Sequence, residues 1–326
     1  MDNIDEKIIN NYQRNLPITE NSFDVIADDL QIPIDTLLDR IKNLKEHGVI
    51  SRIGAVFRPN TIGVSTLAAM AVPKDKITKI AKIINKFTEV NHNYQREHRY
   101  NLWFVITADS QTNLNKTIDD IKKKTVHSML VLPMLKEYHI DLGFDLKHNQ
   151  AKNINTIQET KKIKLNDVQK ISIQAIQQGL PIKKKPFKAL AKNFNIDEIV
   201  LINTLLELQQ LYIIRRFGVI IRHHELGYKH NAMWVLNIQD NKVDGVGKKL
   251  AKIENVNLCY LRPRISPDWN YNLFCMVHGK NRQNVINLIN KIATDYNLNM
   301  QDSQILFSTH RFKQKGAFYI KNSSHK

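Results

Sequence analysis

Two cysteines in 326 residues exclude a disulfide-stapled scaffold, the device of small secreted chains that cannot bury a sufficient core. Cys259 and Cys275 fall on neighbouring predicted strands of one half, where the expectation is a pair of reduced core thiols. No apolar run approaches the roughly 20 residues needed to cross a bilayer. The start Met1-Asp2-Asn3-Ile4-Asp5-Glu6 is acidic where a secretory leader would be basic. The expected setting is therefore cytoplasmic, with no membrane partner. Acidic residues are also in deficit, 31 against 48 Lys and Arg, for a net charge of +17. That excess points to a polyanion, and charge alone does not separate nucleic acid from a polycarboxylate. The runs Lys122-Lys123-Lys124 and Lys183-Lys184-Lys185 read as solvated faces.

What the chain does have is one pattern twice. Asn91-His92-Asn93-Tyr94-Gln95-Arg96-Glu97-His98-Arg99-Tyr100-Asn101-Leu102-Trp103-Phe104 returns, altered, as Asn257-Leu258-Cys259-Tyr260-Leu261-Arg262-Pro263-Arg264 followed by Tyr271-Asn272-Leu273-Phe274. Val49-Ile50-Ser51-Arg52-Ile53-Gly54 likewise matches Ile213-Ile214-Arg215-Arg216-Phe217-Gly218, 164 residues later. The extra residues of the second copy lie around Ser266-Pro267-Asp268-Trp269. Repeats this long are two fused, domain-sized units.

Each unit opens with three helical stretches and a β-rich tail, a winged helix-turn-helix. In the first, Ile8 and Ile9 mark one helix, Phe23, Ile26, Ala27 and Leu30 a second, and Leu37, Leu38, Ile41 and Leu44 a third with Asp35 as expected N-cap and Gly48 at its end. Strand and helix patterns then alternate: 64–72, 75–87, 90–98, 100–108, 114–124 and 129–140, echoed at 231–239, 243–253, 257–262, 270–277, 282–296 and 303–313. That βαββαβ order is ferredoxin-like. The expected fold is α+β: winged helix 1–60, ferredoxin-like domain 61–146, polar linker 147–162, winged helix 163–224 and ferredoxin-like domain 225–326. A winged helix followed by βαββαβ resembles the Lrp/AsnC family of transcription regulators, whose ferredoxin-like units pair sheet to sheet. The fusion then implies an intrachain pseudo-dimer.

DNA reading requires cationic side chains on the third helix. The second unit's third helix, from Asp197 through Gln210, has no Lys or Arg, and its apolar residues cover nearly every face, which predicts burial. The first unit offers Arg40, Lys42 and Lys45 beside Asp35 and Asp39. Specific DNA is therefore not expected, although a regulator remains the alternative, as does a tetrapyrrole sensor without chemistry.

Strand alternation puts Tyr94, Arg96 and His98 on one face, and Tyr260, Arg262 and Arg264 on another. Asn93-Tyr94 to Phe104, Arg215-Arg216-Phe217-Gly218-Val219 to Arg222-His223-His224, and Cys259-Tyr260-Leu261-Arg262-Pro263 to Phe274 are similar to the Lrp-like sirohaem decarboxylase family, one half to each subunit type. The resemblance implies removal of carbon dioxide from the C12 and C18 acetates of sirohaem, an eight-carboxylate tetrapyrrole that carries its own iron. No further cofactor is required, because the macrocycle is the electron sink. Arginines suit carboxylates and aromatic rings suit macrocycle faces. Expected catalytic residues are Arg96 and Arg262 as clamps, His98 and His278 as general acids, and Tyr94 as donor. Expected substrate contacts are Tyr100, Asn101, Trp103, Tyr260, Arg264, Trp269, Tyr271, Asn272, Arg215, Arg216, Arg222 and His223. His223-His224 lacks the spacing of a zinc site. Pairing of two fused chains into a homodimer remains open.

Overall fold

The computed structural model describes residues 1–140, 164–222, 225, 227–228 and 230–320. The expected linker at 147–162, together with His223 and His224, lies outside the described residues. The first winged helix comprises α1 (Asn3–Tyr12), α2 (Ser22–Leu30), α3 (Ile34–Glu46) and β1 (Ile50–Phe57). The first ferredoxin-like unit is β2 (Val64–Met70), α4 (Ile77–Asn85), β3 (Val90–Arg96), β4 (Leu102–Ala108), α5 (Gln111–Thr125) and β5 (Met129–Pro133), continued by β6 (Lys136–Ile140). The second half repeats it as α6 (Asp167–Ile176), α7 (Pro186–Phe194), α8 (Glu198–Gln210), β7 (Ile214–Ile221), β8 (His230–Leu236), α9 (Val243–Leu250), β9 (Val256–Leu261), β10 (Leu273–Gly279), α10 (Arg282–Asp295) and β11 (Ser303–Gln314).

Local chemistry sets these elements. Reciprocal capping boxes start α1 (Asp2, Asp5) and α6 (Asn166, Gln169). Ser110 and Asn281 accept the backbone N–H three residues on and start α5 and α10. Asp197 caps α8 through the N–H groups of Ile199 and Val200, at 2.9 and 3.0 Å. Asp35 is not the cap of α3; the helix begins two residues earlier than that cap would set it, at Ile34 after Pro33, and Asp35 in its first turn pairs with Lys184 at 2.9 Å. Gly48 follows α3 with φ of +77°, a left-handed position at which a side chain would be strained.

β1 and β7 pair antiparallel with each other, in a register that sets Gly54 opposite Gly218. These two glycines are equivalent in the repeat, so an internal two-fold axis passes between them. The loops that flank the axis follow the same symmetry: Leu16 N–H donates to Phe217 O (3.0 Å) and Leu180 N–H to Ile53 O (2.7 Å). One apolar core, including Phe23, Leu37, Phe187, Leu205 and Phe217, runs through both winged helices and the ribbon.

The remaining strands form one nine-stranded sheet in the order β5-β2-β4-β3-β11-β8-β10-β9-β6. Each unit contributes the ferredoxin-like order, and its last strand crosses to the other unit. The first half of β11 pairs with β8 and the second half with β3, while β5 pairs with β2 and β6 with β9. The strand expected at 129–140 is thus broken at Met134 and Leu135. Because β5 and β6 are consecutive in the chain yet lie at opposite ends of the order, the sheet turns back on itself as a closed sandwich. Trp103, Trp269, Phe274, Tyr100, Leu132 and Leu306 fill its interior, and the helices of each unit cover its outer faces.

Two further expectations meet this architecture. The third helix of the second half is not wholly buried: Ile199 and Val200 are 47% and 42% exposed, because α8, like α3, packs on its domain along one side. Two of the cationic residues of α3 are engaged locally, Arg40 with Asp2 and Asp5 at 2.8 and 3.0 Å and Lys42 with Asp39 at 2.9 Å. Among the described residues no helix is long and apolar enough to cross a membrane. Cys259 and Cys275 are buried on β9 and β10 as reduced thiols, with Cys275 Sγ donating to Cys259 Sγ at 3.5 Å.

The axis makes a testable demand. A Cβ on Gly218 would overlap the carbonyl oxygens of Tyr12 and Gln13, whereas one on Gly245 in α9 meets nothing within 4 Å. Gly218→Ala is expected to destabilise the chain by roughly 1–3 kcal/mol through overpacking and Gly245→Ala to stabilise it by roughly 0.5–1 kcal/mol, read by denaturant unfolding.

Candidate active site

Between the β1–β7 ribbon and one open end of the sandwich lies a cavity of about 370 Å³. The ribbon contributes Arg52 and Arg216, the first ferredoxin-like unit Ser65, Asn91, His92 and Thr107, and the second unit Tyr260 and Arg262. No Asp or Glu among the described residues lines it. Arg216 and Arg262 are 7% and 8% exposed. Arg262 Nη1 donates to Leu132 O near the end of β5, just before the chain crosses to the other unit, its guanidinium lies 4.8 Å from the Tyr260 ring centroid, and its buried Nε has no hydrogen-bond partner. Arg52 Nη2 donates to Ala55 O at 2.7 Å, and its buried Nη1 has no partner. Burial lowers the pKa of Arg52 to about 10 and lowers that of Arg262 as well; both remain cationic at neutral pH. Burial raises the phenol pKa of Tyr260.

His92 is held by a short chain of hydrogen bonds. Asn91 Nδ2 donates to Thr107 Oγ1 (2.9 Å), which turns Asn91 Oδ1 toward His92 Nδ1 at 2.8 Å. Since an amide oxygen only accepts, the proton of the neutral imidazole sits on Nδ1, and Nε2 is the nitrogen at which a second proton is gained or lost. Desolvation lowers its pKa to about 4.

The internal axis maps these groups onto a second set. Asn257, His278, Tyr94 and Arg96 stand where Asn91, Thr107, Tyr260 and Arg262 stand in the first. Arg96 Nη1 donates to Leu306 O at 2.9 Å, the counterpart of the Arg262 contact, and Nη2 approaches Met276 Sδ at 3.8 Å. Its pKa is lowered to about 10 by burial. Burial raises that of Tyr94, opposed by the charges of Arg96, Arg311 and Arg222. His278 Nδ1 faces Asn257 Oδ1 at 2.9 Å. The imidazole has changed strands: β3 carries it as His92 in one half, β10 as His278 in the other, while Leu258 and Thr107 occupy the vacated places.

Of the residues expected from sequence, Arg216, Tyr260 and Arg262 line the cavity, and Tyr94, Arg96, Arg222 and His278 gather at its two-fold-related position. The others lie elsewhere. His98 lies past the end of β3, where alternation no longer holds; its Nδ1 accepts Tyr100 N–H at 2.9 Å and its ring meets Trp269 edge-on at 5.5 Å. Tyr100, Trp103, Trp269 and Tyr271 pack with it in the sandwich interior, and these rings hold the two units together instead of lining the cavity. Asn101 and Asn272 bond the backbones of Val72 and Ile238, both at the end of a neighbouring strand. Arg264 is spent on Asn237, Asp240 and the Ile238 carbonyl, and Arg215 on Glu137 at 2.5 Å. His223 lies outside the described residues. Arg52, Asn91 and His92 were not nominated, although signals existed: Arg52 is the repeat counterpart of Arg216, and His92 shares the face of Tyr94 by the same alternation.

Residues 61–139 and 225–313 match the AsnC-like ligand binding domain, which defines the class: a two-unit protein with paired AsnC-like sheets. Residues 5–50 and 169–215 match the siroheme decarboxylase NirDL-like HTH domain. The siroheme decarboxylase NirDL subunit of Paracoccus denitrificans (strain Pd 1222) is 34% identical over 318 residues, 97% of each chain. The NirD subunit of the Pseudomonas aeruginosa enzyme is 42% identical over 147 residues, 45% of this chain and 98% of its own. A crystal structure of the siroheme decarboxylase NirDL covers 98% of this chain and 95% of its own, with 26% identity and a TM-score of 0.71. Another, in co-complex with an iron-uroporphyrin III analogue, covers 97% and 93% at 25% identity and a TM-score of 0.70. The chain belongs to the siroheme decarboxylase NirDL family.

Two outcomes follow from the charge arrangement. A buried guanidinium without a carboxylate costs stability in the empty protein, so Arg262→Met is expected to leave unfolding free energy equal or higher while weakening a polycarboxylate ligand by roughly 10- to 100-fold, the worth of a charged hydrogen bond. A titration beside a denaturation series reads both. His92 has a folded pKa of about 4, below the ordinary value of about 6.5. Between those values the unfolded chain binds a proton that the folded chain does not, so stability is full above pH 6.5 and falls as the pH drops through that window. His92→Asn is expected to flatten the change in unfolding midpoint between about pH 7 and pH 4.5; an unaltered slope removes His92 as its source.

Proposed function

We propose that this chain is a sirohaem decarboxylase that converts the C12 and C18 acetate side chains to methyl groups, giving 12,18-didecarboxysirohaem. The observation that carries the reading is the cavity: three arginines converge with no acidic side chain among its described lining residues. Such a site is unfavourable when empty and is relieved by a polycarboxylate. The names of the relatives, and the iron-uroporphyrin III analogue bound by a solved relative, support the same substrate class.

In this reading Arg52, Arg216 and Arg262 grip peripheral carboxylates and fix the macrocycle's orientation, with Tyr260 against the ring. The acetate that reacts lies over the apolar part of the lining, where loss of water destabilises its charge. The CH₂–CO₂⁻ bond breaks, carbon dioxide leaves, and the electron pair passes to the conjugated macrocycle of the substrate. A proton delivered to the same carbon completes the methyl group. His92 is the proton donor, through Nε2, because Asn91 holds Nδ1. Its low pKa makes it neutral in the empty site; the negative charge of a bound polycarboxylate raises it and loads the proton only when substrate is present. His278, fixed by Asn257, has the same attachment in the related position. No cofactor beyond the substrate's own iron and macrocycle enters the scheme. The cytoplasm is the expected compartment, and specific DNA is not an expected partner: each wing is already paired with the other.

Anaerobic incubation with sirohaem is expected to yield a product lighter by two carbon dioxides without added cofactor; unchanged substrate mass with the folded chain overturns the reading. His92→Asn is expected to lower turnover by roughly 10²- to 10⁴-fold, the contribution of a general acid, with iron-uroporphyrin III still bound. His98→Ala is expected to change stability and leave the chemical step in place.

A further inference from the structure

The cavity has a wall that belongs to neither repeat. After β11 the chain does not leave the molecule. Residues 315–320 run back along the cavity, and Lys315, Gly316, Ala317 and Tyr319 line it. These residues lie beyond the part of the chain that matches the AsnC-like domain, which ends at residue 313.

The segment is seated at two places. Lys315 N–H donates to the carbonyl of Asn91 at 2.8 Å, so the residue whose side chain orients His92 also anchors the segment. At the far end Gln177, 2% exposed at the end of α6, closes a clasp: its Oε1 accepts Tyr319 N–H and Ile320 N–H at 3.0 and 3.2 Å, and its Nε2 donates to Ile320 O at 2.8 Å. Between these points the fit is close. A Cβ on Gly316 would stand 3.0 Å from Arg52 Nε, and one on Gly63 would stand 3.0 Å from the Tyr319 ring. The Tyr319 ring meets Phe57 edge-on at 5.4 Å. A buried glutamine that satisfies three backbone groups of one short segment is a specific attachment, unlike the loose tail expected at a chain end.

With the segment seated, the cavity of about 370 Å³ is near the lower limit of ligand sites, roughly 300–1,000 Å³. An iron tetrapyrrole with eight carboxylate arms needs more room than this cavity offers while the segment is seated against it. We propose that residues 315–320 form the outer wall of the tetrapyrrole site, lifting to admit the macrocycle and closing over it, with Lys315 and Tyr319 as substrate-contacting residues and Gln177 as the positioning residue that seats them. Lys315 supplies a cation at the rim and Tyr319 an aromatic face and a hydroxyl beside Arg52. The proposal rests on the cavity being a tetrapyrrole site.

Iron-uroporphyrin III is the probe, followed by stopped-flow absorbance with the parent chain, a chain ending at Gln314, and full-length Gln177→Ala. Removal of a closing wall is expected to speed both association and release, each by about tenfold or more in the shortened chain and by a smaller factor in Gln177→Ala, with melting temperatures near the parent's. Parent-like rates in the variants overturn the proposal. Slower association together with lower melting also overturns it, since that is the signature of lost structural support. If the shortened chain does not fold, Gln177→Ala decides alone by the same criteria. Failure of the parent to bind iron-uroporphyrin III overturns the tetrapyrrole reading itself, a result separable from the others.

Discussion

The structure depends on the antiparallel pairing of the two wings at Gly54 and Gly218. Backbones approach so closely there that a side chain at Gly218 would displace the end of α1. That one contact joins two winged helices into a single core and pairs one edge of each wing with the other. It also suspends a two-stranded ribbon over the mouth of the sandwich below. The cavity exists because ribbon and sandwich meet only in part, and both bring arginines to the gap.

Those arginines show which demand prevails. Guanidiniums are seldom buried without carboxylates, because desolvation costs more than hydrogen bonds to carbonyls return. Here Arg96 and Arg262 each rest on the carbonyl of a crossing strand, Leu306 and Leu132, which supplies one acceptor for a group with five donors. A protein selected for stability alone would place apolar residues there. The arrangement is intelligible when the missing acceptors arrive with a ligand.

Most of the fold was legible in the sequence because the two halves repeat their periodicities, and each helix and strand carries its own apolar spacing or cap. The Tyr-x-Arg pairs pointed, for the same reason, to strands that border the cavity and its two-fold-related position. What failed was the assumption that neighbours in the motif are neighbours at the site. His98, Trp103 and Trp269 share the motif but face the sandwich interior, since β3 ends at Arg96 and the chain turns there. Asn101, Asn272 and Arg264 resemble ligand-binding residues in one dimension and prove to be fasteners for adjoining backbone. His92 was within reach of the alternation argument, two residues before Tyr94. Tyr319 and Gln177 were not, because the first lies outside the repeat and the second reaches it only through tertiary folding.

The exchange of the imidazole between β3 and β10 has a consequence for lineage and assembly. In a dimer of identical subunits every substitution appears twice, so neither wall can move its histidine without the other following. Under the proposed reading the substrate has no two-fold symmetry and its two reacting acetates sit on different rings, so identical walls related by the axis would hold at least one of them badly. Unlike subunits escape that restriction but must find each other in preference to their own copies. A covalent tandem removes the sorting problem: each half is born beside its complement in fixed ratio, and either can drift alone toward the part of the macrocycle it faces.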